Sequence, residues 1–317
     1  MNAAPAGTHP HASRRRVVLA FGAVYVLWGS TFLAMRFGIR TIPPFFMASM
    51  RHLVSGTILI AVSAHRLGRW PTRAEFRDAA IVGVLLLGAN GTVAWSEQRV
   101  ATGTAALLVA TVPLWMVLMD WLRPRGTHPG RGVLLGLALG FAGLVTLVGP
   151  GVLVGHGAID PIGATALLLG SVSWAAGSII SQRQPHGPVP LFTVGMQMVC
   201  GGTFLLVIAT LTGQTARFSF AHVSSASWLG WLYLVVFGSL LGFTAYAYLL
   251  RATTAAKVAT YAYVNPVIAV FLGWAVLGEV VTGRTLAAAA VIVGGVAIIT
   301  IARTNAAPVV PEESIGD

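Results

Sequence analysis

Arg51 stands seven residues into an apolar stretch that opens at Pro44, flanked by Met47, Ala48, Met50 and Leu53. A guanidinium at the centre of a bilayer is unfavourable by roughly 2.5–3.5 kcal/mol on insertion scales, so it is expected to face protein or water and to have a partner. Glu97, near the end of the next apolar stretch, is the partner the sequence offers, because a ten-helix topology places it at a similar level. An Arg51–Glu97 pair would serve either as a structural clamp or as a substrate contact or gate toward the outside, and both readings stand. His52 is the one histidine inside an apolar stretch, and a proton-coupling role for it has only that position in its favour.

Further polar and aromatic residues recur at helical spacing. Asn90 and Glu97, seven apart, share a face of the third stretch with Trp95 close by. Thr104, Thr111 and Trp115 form a stripe on the fourth, where Pro113 has no N–H to give to the preceding turn. On the eighth, Ser239, Phe243 and Tyr246 follow spacings of four and three, with Tyr248 beyond; on the ninth, Tyr261 and Asn265 precede Pro266. Aromatic walls with a few oriented polar groups suit a cavity for a partly apolar solute. The plainer reading is an interfacial aromatic belt and hydroxyls bonding between helices. It is preferred for Trp70, Trp228 and Trp231, which lie near the ends of stretches. Pro113 and Pro266 are candidate hinges or static kinks.

Other chemistries lack their residues. There is no HExxH, no pair of intramembrane aspartates, no Gly-x-Ser-x-Gly elbow and no Walker A loop, so neither catalysis nor direct use of ATP is expected. The single cysteine, Cys200, excludes an internal disulfide framework and a multi-cysteine metal site. No catalytic residue, metal site or cofactor is therefore expected. Nothing resembles a carbonyl selectivity filter or a ring of like charges.

Composition says what must position these groups. Of 317 residues 56% are hydrophobic and only 9% charged, with a mean hydropathy of +0.80, which leaves too little charged surface for a water-soluble chain. A net charge of +11 is also what nucleic-acid binders carry, but the basic residues here punctuate apolar runs, as topological charges do, with some attraction to anionic headgroups. Ten stretches are long enough to span a bilayer: 17–36, 44–64, 79–97, 103–122, 132–149, 162–181, 190–211, 228–250, 258–278 and 286–302. Residues Met1–Ser13 read as a disordered tail, and Arg14-Arg15-Arg16 as the anchor of the first helix rather than a cleaved signal.

Lys and Arg in the short connections set the orientation. With the N-terminus inside, the cytoplasmic side collects Arg14, Arg15, Arg16, Arg66, Arg69, Arg73, Arg77, Arg123, Arg125, Arg131, Arg183, Arg251, Lys257 and Arg303, against Arg36, Arg40, Arg99, Arg217 and Arg284 outside. Both termini are expected in the cytoplasm. An internal repeat is also legible. A shift of 146 places Trp28 on Trp174, Pro44 on Pro190 and Gly56-Thr57 on Gly202-Thr203; a shift of 153 places Trp95 on Tyr248, Pro113 on Pro266, Trp121 on Trp274 and Gly130-Arg131 on Gly283-Arg284. Five helices per copy is odd, so the copies enter the membrane from opposite sides, the inverted arrangement that supports alternating access. Gly132, Gly136 and Gly140, echoed by Ala290 and Gly294, are expected to pack helices inside the protein rather than at a dimer interface.

Several of these motifs resemble the EamA family of the drug/metabolite transporter superfamily, and within it the YedA-type inner-membrane proteins. They are Trp28-Gly29-Ser30-Thr31-Phe32, Pro43-Pro44-Phe45 with Arg51, Ser96-Glu97-Gln98, Ala105-Ala106-Leu107, Pro113-Leu114-Trp115, Asn265-Pro266, Gly278-Glu279 and Gly283-Arg284. The resemblance runs from about Val17 to Arg303. It implies ten helices, cytoplasmic termini, a central cavity lined by the third, fourth, eighth and ninth helices, and transport of amino acids or other metabolites, mostly outward. The acidic residue often found after the fourth helix in that family, the counterpart of Glu279, is absent from Arg123-Pro124-Arg125-Gly126.

The reading is an all-α integral membrane protein of ten transmembrane helices in two inverted five-helix repeats, 17–149 and 162–303, between cytoplasmic tails 1–16 and 304–317. Its expected role is secondary export of a small neutral or zwitterionic metabolite across the inner membrane, as monomer or homodimer, with protons as the candidate coupling ion and with no nucleic-acid partner. An intramembrane enzyme and a channel-like facilitator are the alternatives. The expected cavity residues are Asn90, Trp95, Glu97, Thr111, Trp115, Ser239, Tyr246, Tyr248, Tyr261 and Asn265.

Overall fold

The computed structural model describes residues 14–123, 128–149, 159–183, 190–253, 258 and 260–306. Among them every regular element is a helix. Ten are apolar: α1 (Arg14–Gly38), α2 (Pro44–Leu67), α3 (Arg73–Ser96), α4 (Thr102–Leu122), α5 (Arg131–Val148), α6 (Pro161–Arg183), α7 (Pro190–Leu211), α8 (Ser225–Leu249), α9 (Tyr261–Leu277) and α10 (Gly283–Ala306). Nine are long enough to cross a membrane, and α9, at 17 residues, is slightly shorter. This is the expected ten-helix, all-α membrane fold. The tail Met1–Ser13, the loop residues Pro124, Arg125 and Gly126, His156, His186, Lys257 and residues 307–317 lie outside the described residues.

Where boundaries differ from the hydropathy reading, polar first turns are the reason. α3 begins at Arg73, six residues before the apolar stretch. Thr72 and Glu75 form a capping box there, and Glu75 also holds Arg69 at 2.7 Å, so orphan N–H groups are satisfied in a turn too polar for a hydropathy window to register. Three helices are not continuous. α1 is interrupted at Ser30, whose hydroxyl donates to Val26 O and Leu27 O. α4 breaks at Ala110–Thr111, just before Pro113, and α8 widens into π turns over Leu234–Leu241.

The two sets of five exchange partners. α3 lies against α6 and α7, and α8 correspondingly against α1 and α2; α4 packs on α6 as α9 does on α1. The pairs α2–α7, α4–α9 and α5–α10 are each related to themselves by the repeat. Lipid is as apolar as leucine, so these contacts depend on close van der Waals fit rather than on a hydrophobic drive. Glycine provides it: a Cβ at Gly56 would stand 2.8 Å from Gly195 O, and one at Gly136 2.7 Å from Gly295 O. The α5 stripe therefore packs internally, as expected, with one correction of register. Its partner is Gly295, facing Gly136 and Gly140, whereas a Cβ at Gly294 would meet nothing within 4 Å.

Candidate functional site

Where α2 crosses α3 and α8, Arg51 is 4% exposed. Its Nε donates to Ser239 Oγ at 3.0 Å and its Nη1 reaches Asn90 Oδ1 at 3.4 Å. The next residue, His52, is equally buried, with Nε2 3.2 Å from the same Asn90 oxygen and Nδ1 without a partner. Ser239 belongs to the π segment of α8, a kind of bulge that recurs at functional sites because it re-aims side chains. Beside it, Gly238 makes room for the guanidinium, since a Cβ there would lie 3.0 Å from Arg51 Nη2. Three of the expected groups, Arg51, Asn90 and Ser239, thus come together in one cluster.

The Arg51–Glu97 pair does not form. Both Glu97 carboxylate oxygens are buried with no hydrogen-bond partner among the described residues. Because α3 runs on to Ser96, Glu97 caps its end instead of lying alongside Arg51. Asn90 is the residue at the level of Arg51, and Glu97 follows it by two turns, roughly 10 Å at 1.5 Å per residue. Arg36 and Glu279 lie within electrostatic reach of Glu97.

Next to the polar cluster is an aromatic one. Trp28 of α1 donates from Nε1 to Gly238 O at 3.1 Å and packs against Phe243, Tyr246 and Tyr261 with ring centroids 5.3, 5.2 and 5.0 Å away. Gly242 admits the indole, as a Cβ there would stand 2.4 Å from Trp28 Nε1. All four rings are only partly buried. Tyr246 and Tyr261 therefore join as expected, around a residue that the sequence singles out by its repeat match and its motif but not as part of the cavity.

The remaining expected residues are placed otherwise. Thr111 spends its hydroxyl on Leu108 O and accepts Trp115 Nε1 at 3.1 Å, while Trp115 packs on Phe141 of α5; both support the break in α4. Trp95 lies under the Arg99 guanidinium, 5.1 Å from its ring centre, at the end of α3. Tyr248 is partly buried, two residues past Tyr246. Asn265 is buried with Oδ1 unpartnered. Of the two prolines, Pro113 follows a real interruption whereas Pro266 sits inside an unbroken helix. The repeat places them alike, and the chain uses them differently.

A second feature occupies the end of the bundle opposite the described termini. A cavity of about 410 Å³ is lined by Arg36, Ile39, Arg40, Gln98, Leu277 and Glu279. Glu279 accepts hydrogen bonds from Thr102 N at 2.6 Å and Gly103 N at 3.0 Å, so the α9–α10 connection caps the start of α4. Arg284 caps the end of α5 by donating to Thr146 O and Leu147 O. Sequence reasoning misses Trp28 and this mouth, because Arg36 and Arg40 read there only as topological charges. Among the described residues no group of three His, Cys, Asp or Glu could hold a metal ion.

The model of the EamA-like transporter family matches residues 15–149 and again 161–301. The chain is 35% identical over 311 residues to the uncharacterized inner membrane transporter YedA of Escherichia coli K12, covering 95% of this chain and 98% of that one. It is 26% identical to the uncharacterized transporter YvbV of Bacillus subtilis 168, over 90% of this chain and 92% of that one. A protein of known crystal structure shares the fold with a TM-score of 0.61 at 20% identity, covering 92% of this chain and all of its own.

Proposed function

The chain belongs to the EamA-like transporter family, and from that premise we propose that it is a secondary transporter that exports a small metabolite across the inner membrane by alternating access. The observation that carries the reading is the exchange of partners between the two sets of five helices, with α3 on α6 and α7 matched by α8 on α1 and α2. Two copies of one unit that pack on each other through equivalent faces can trade conformations, which moves an opening from one side of the membrane to the other. The bias of Lys and Arg supports cytoplasmic termini, which puts the Arg36–Glu279 mouth outside. The inward-facing Arg51, Asn90 and Ser239 and the Trp28 aromatic cluster lie between α1, α2, α3, α8 and the start of α9, where a partly apolar solute such as an amino acid would meet both polar and aromatic walls. Absence of a nucleotide-binding motif leaves an ion or solute gradient as the driving force, with protons the candidate ion.

Purified protein in liposomes tests this. Loading vesicles with a metabolite and adding a labelled trace outside should give transient accumulation of label by exchange, larger than in protein-free vesicles. Equilibration without any exchange overshoot contradicts alternating access and favours a channel-like facilitator.

A further inference from the structure

From the Arg51 cluster we infer a binding site for the carboxylate of an organic anion whose apolar body lies against Trp28, Phe243, Tyr246 and Tyr261. The inference rests on the transport reading only for what the site is used for. Among the described residues Arg51 has no counter-charge. A cation in an apolar interior is strongly disfavoured unless an anion compensates it, yet both hydrogen-bond partners of Arg51, Ser239 and Asn90, are neutral.

The chain has nine acidic residues, of which Glu312, Glu313 and Asp317 stand in the final stretch beyond the described residues. Four of the other six are engaged in ion pairs: Glu75 with Arg69 at 2.7 Å, Asp78 with Arg77 at 3.2 Å, Asp160 with Arg99 at 3.5 Å and Asp120 with Arg123 at 2.6 Å. Glu279 caps α4. Glu97 lies two turns further along α3 and reaches no donor. No described acid neutralises Arg51, so the compensating charge is one that the described residues do not supply.

The surroundings say what kind of molecule brings it. His52 Nε2 donates to the Asn90 oxygen, which can only accept, so its buried Nδ1, unpartnered among the described residues, is an acceptor for an N–H or O–H on the ligand and leaves the carboxylate to Arg51. Gly238 opens the π segment at the guanidinium while its carbonyl holds the Trp28 indole, so the charged group and the aromatic wall share one residue of α8. A guanidinium favours planar, two-oxygen partners and binds them through charge-assisted hydrogen bonds, and the partly exposed rings favour an apolar body over a hydrated inorganic ion.

The test uses two probes of like size and opposite charge, 3-phenylpropionate and phenethylamine, titrated into the purified full chain while Trp fluorescence is recorded. Saturable binding of the carboxylate and none of the amine is expected. Arg51→Gln should weaken carboxylate binding about 10- to 100-fold, the range of a lost hydrogen bond to a charged group, with Arg51→Lys intermediate and both variants melting within a few degrees of the parent. Gly238→Ala, which crowds the guanidinium, should weaken it too. Preference for the amine, absence of saturable carboxylate binding, or unchanged affinity in folded Arg51→Gln overturns the inference. Vesicle exchange of phenethylamine but not 3-phenylpropionate would leave the transport reading intact and sink this one; tight carboxylate binding without exchange would do the reverse.

Discussion

The crossing of α2 with α8 and the crossing of α7 with α3 occupy equivalent places in the repeat, and they are built differently. At α7–α3, Gly201 and Gly83 bring the backbones together: a Cβ at Gly83 would stand 2.3 Å from Gln197 O and one at Gly201 2.5 Å from Gly83 O. The corresponding positions at α2–α8, by the same shifts of 146 and 153, are Ser55 and Val236, and Arg51 stands where α7 has Gln197. Larger side chains, a π segment and a buried cation replace a glycine seam. Symmetry accounts for the scaffold. The site arises where symmetry is broken, because a ligand that is not itself symmetric needs one crossing to carry groups that the other lacks.

Substitutions should separate the two crossings. The largest effect is expected at the glycine seam, where Gly83→Ala should destabilise by about 1–3 kcal/mol, as overpacking does, because the atom it strikes is backbone that cannot swing aside. Thermal unfolding of detergent-purified protein reads this, and an unchanged melting temperature would mean the seam is slack. Glu279→Ala, which strips two N–H bonds from the start of α4, should lose about 0.5–2 kcal/mol in the same assay. Arg51→Gln should do the opposite of a structural lesion: removal of an uncompensated buried cation leaves stability within about 1 kcal/mol of the parent or raises it. A large loss there would recast Arg51 as a structural clamp. Glu97→Gln should not lower stability, since neither buried carboxylate oxygen has a partner among the described residues to lose; a fall would reveal a bond to Glu97 formed in another state of the protein.

Much of this architecture is legible in the sequence. Runs of apolar residues give the helices, since a bilayer demands about 20 of them per span whatever their order, and Trp28, Pro44, Pro113 and Gly283 disclose the repeat. The cluster is partly legible, because a buried Arg is expensive enough to announce itself. Its partner is less so. Asn90, seven residues from the end of the stretch 79–97, lies as deep as Arg51 does in its own, and only the preference for an opposite charge over a neutral amide points to Glu97 instead. Trp28 is hidden for another reason: an indole on the first helix looks the same in sequence whether it faces lipid or meets Gly238 from a helix 210 residues away.

The claim that the two crossings have divided structure and recognition between them is tested most directly by vesicle uptake of 3-phenylpropionate for three proteins: the parent, Arg51→Gln and Gln197→Leu. The prediction is uptake by the parent and by Gln197→Leu, and about a tenfold or greater loss in Arg51→Gln although its melting temperature is not lowered by more than a few degrees. Equal uptake by Arg51→Gln and the parent, or loss confined to Gln197→Leu, would show that no such division exists.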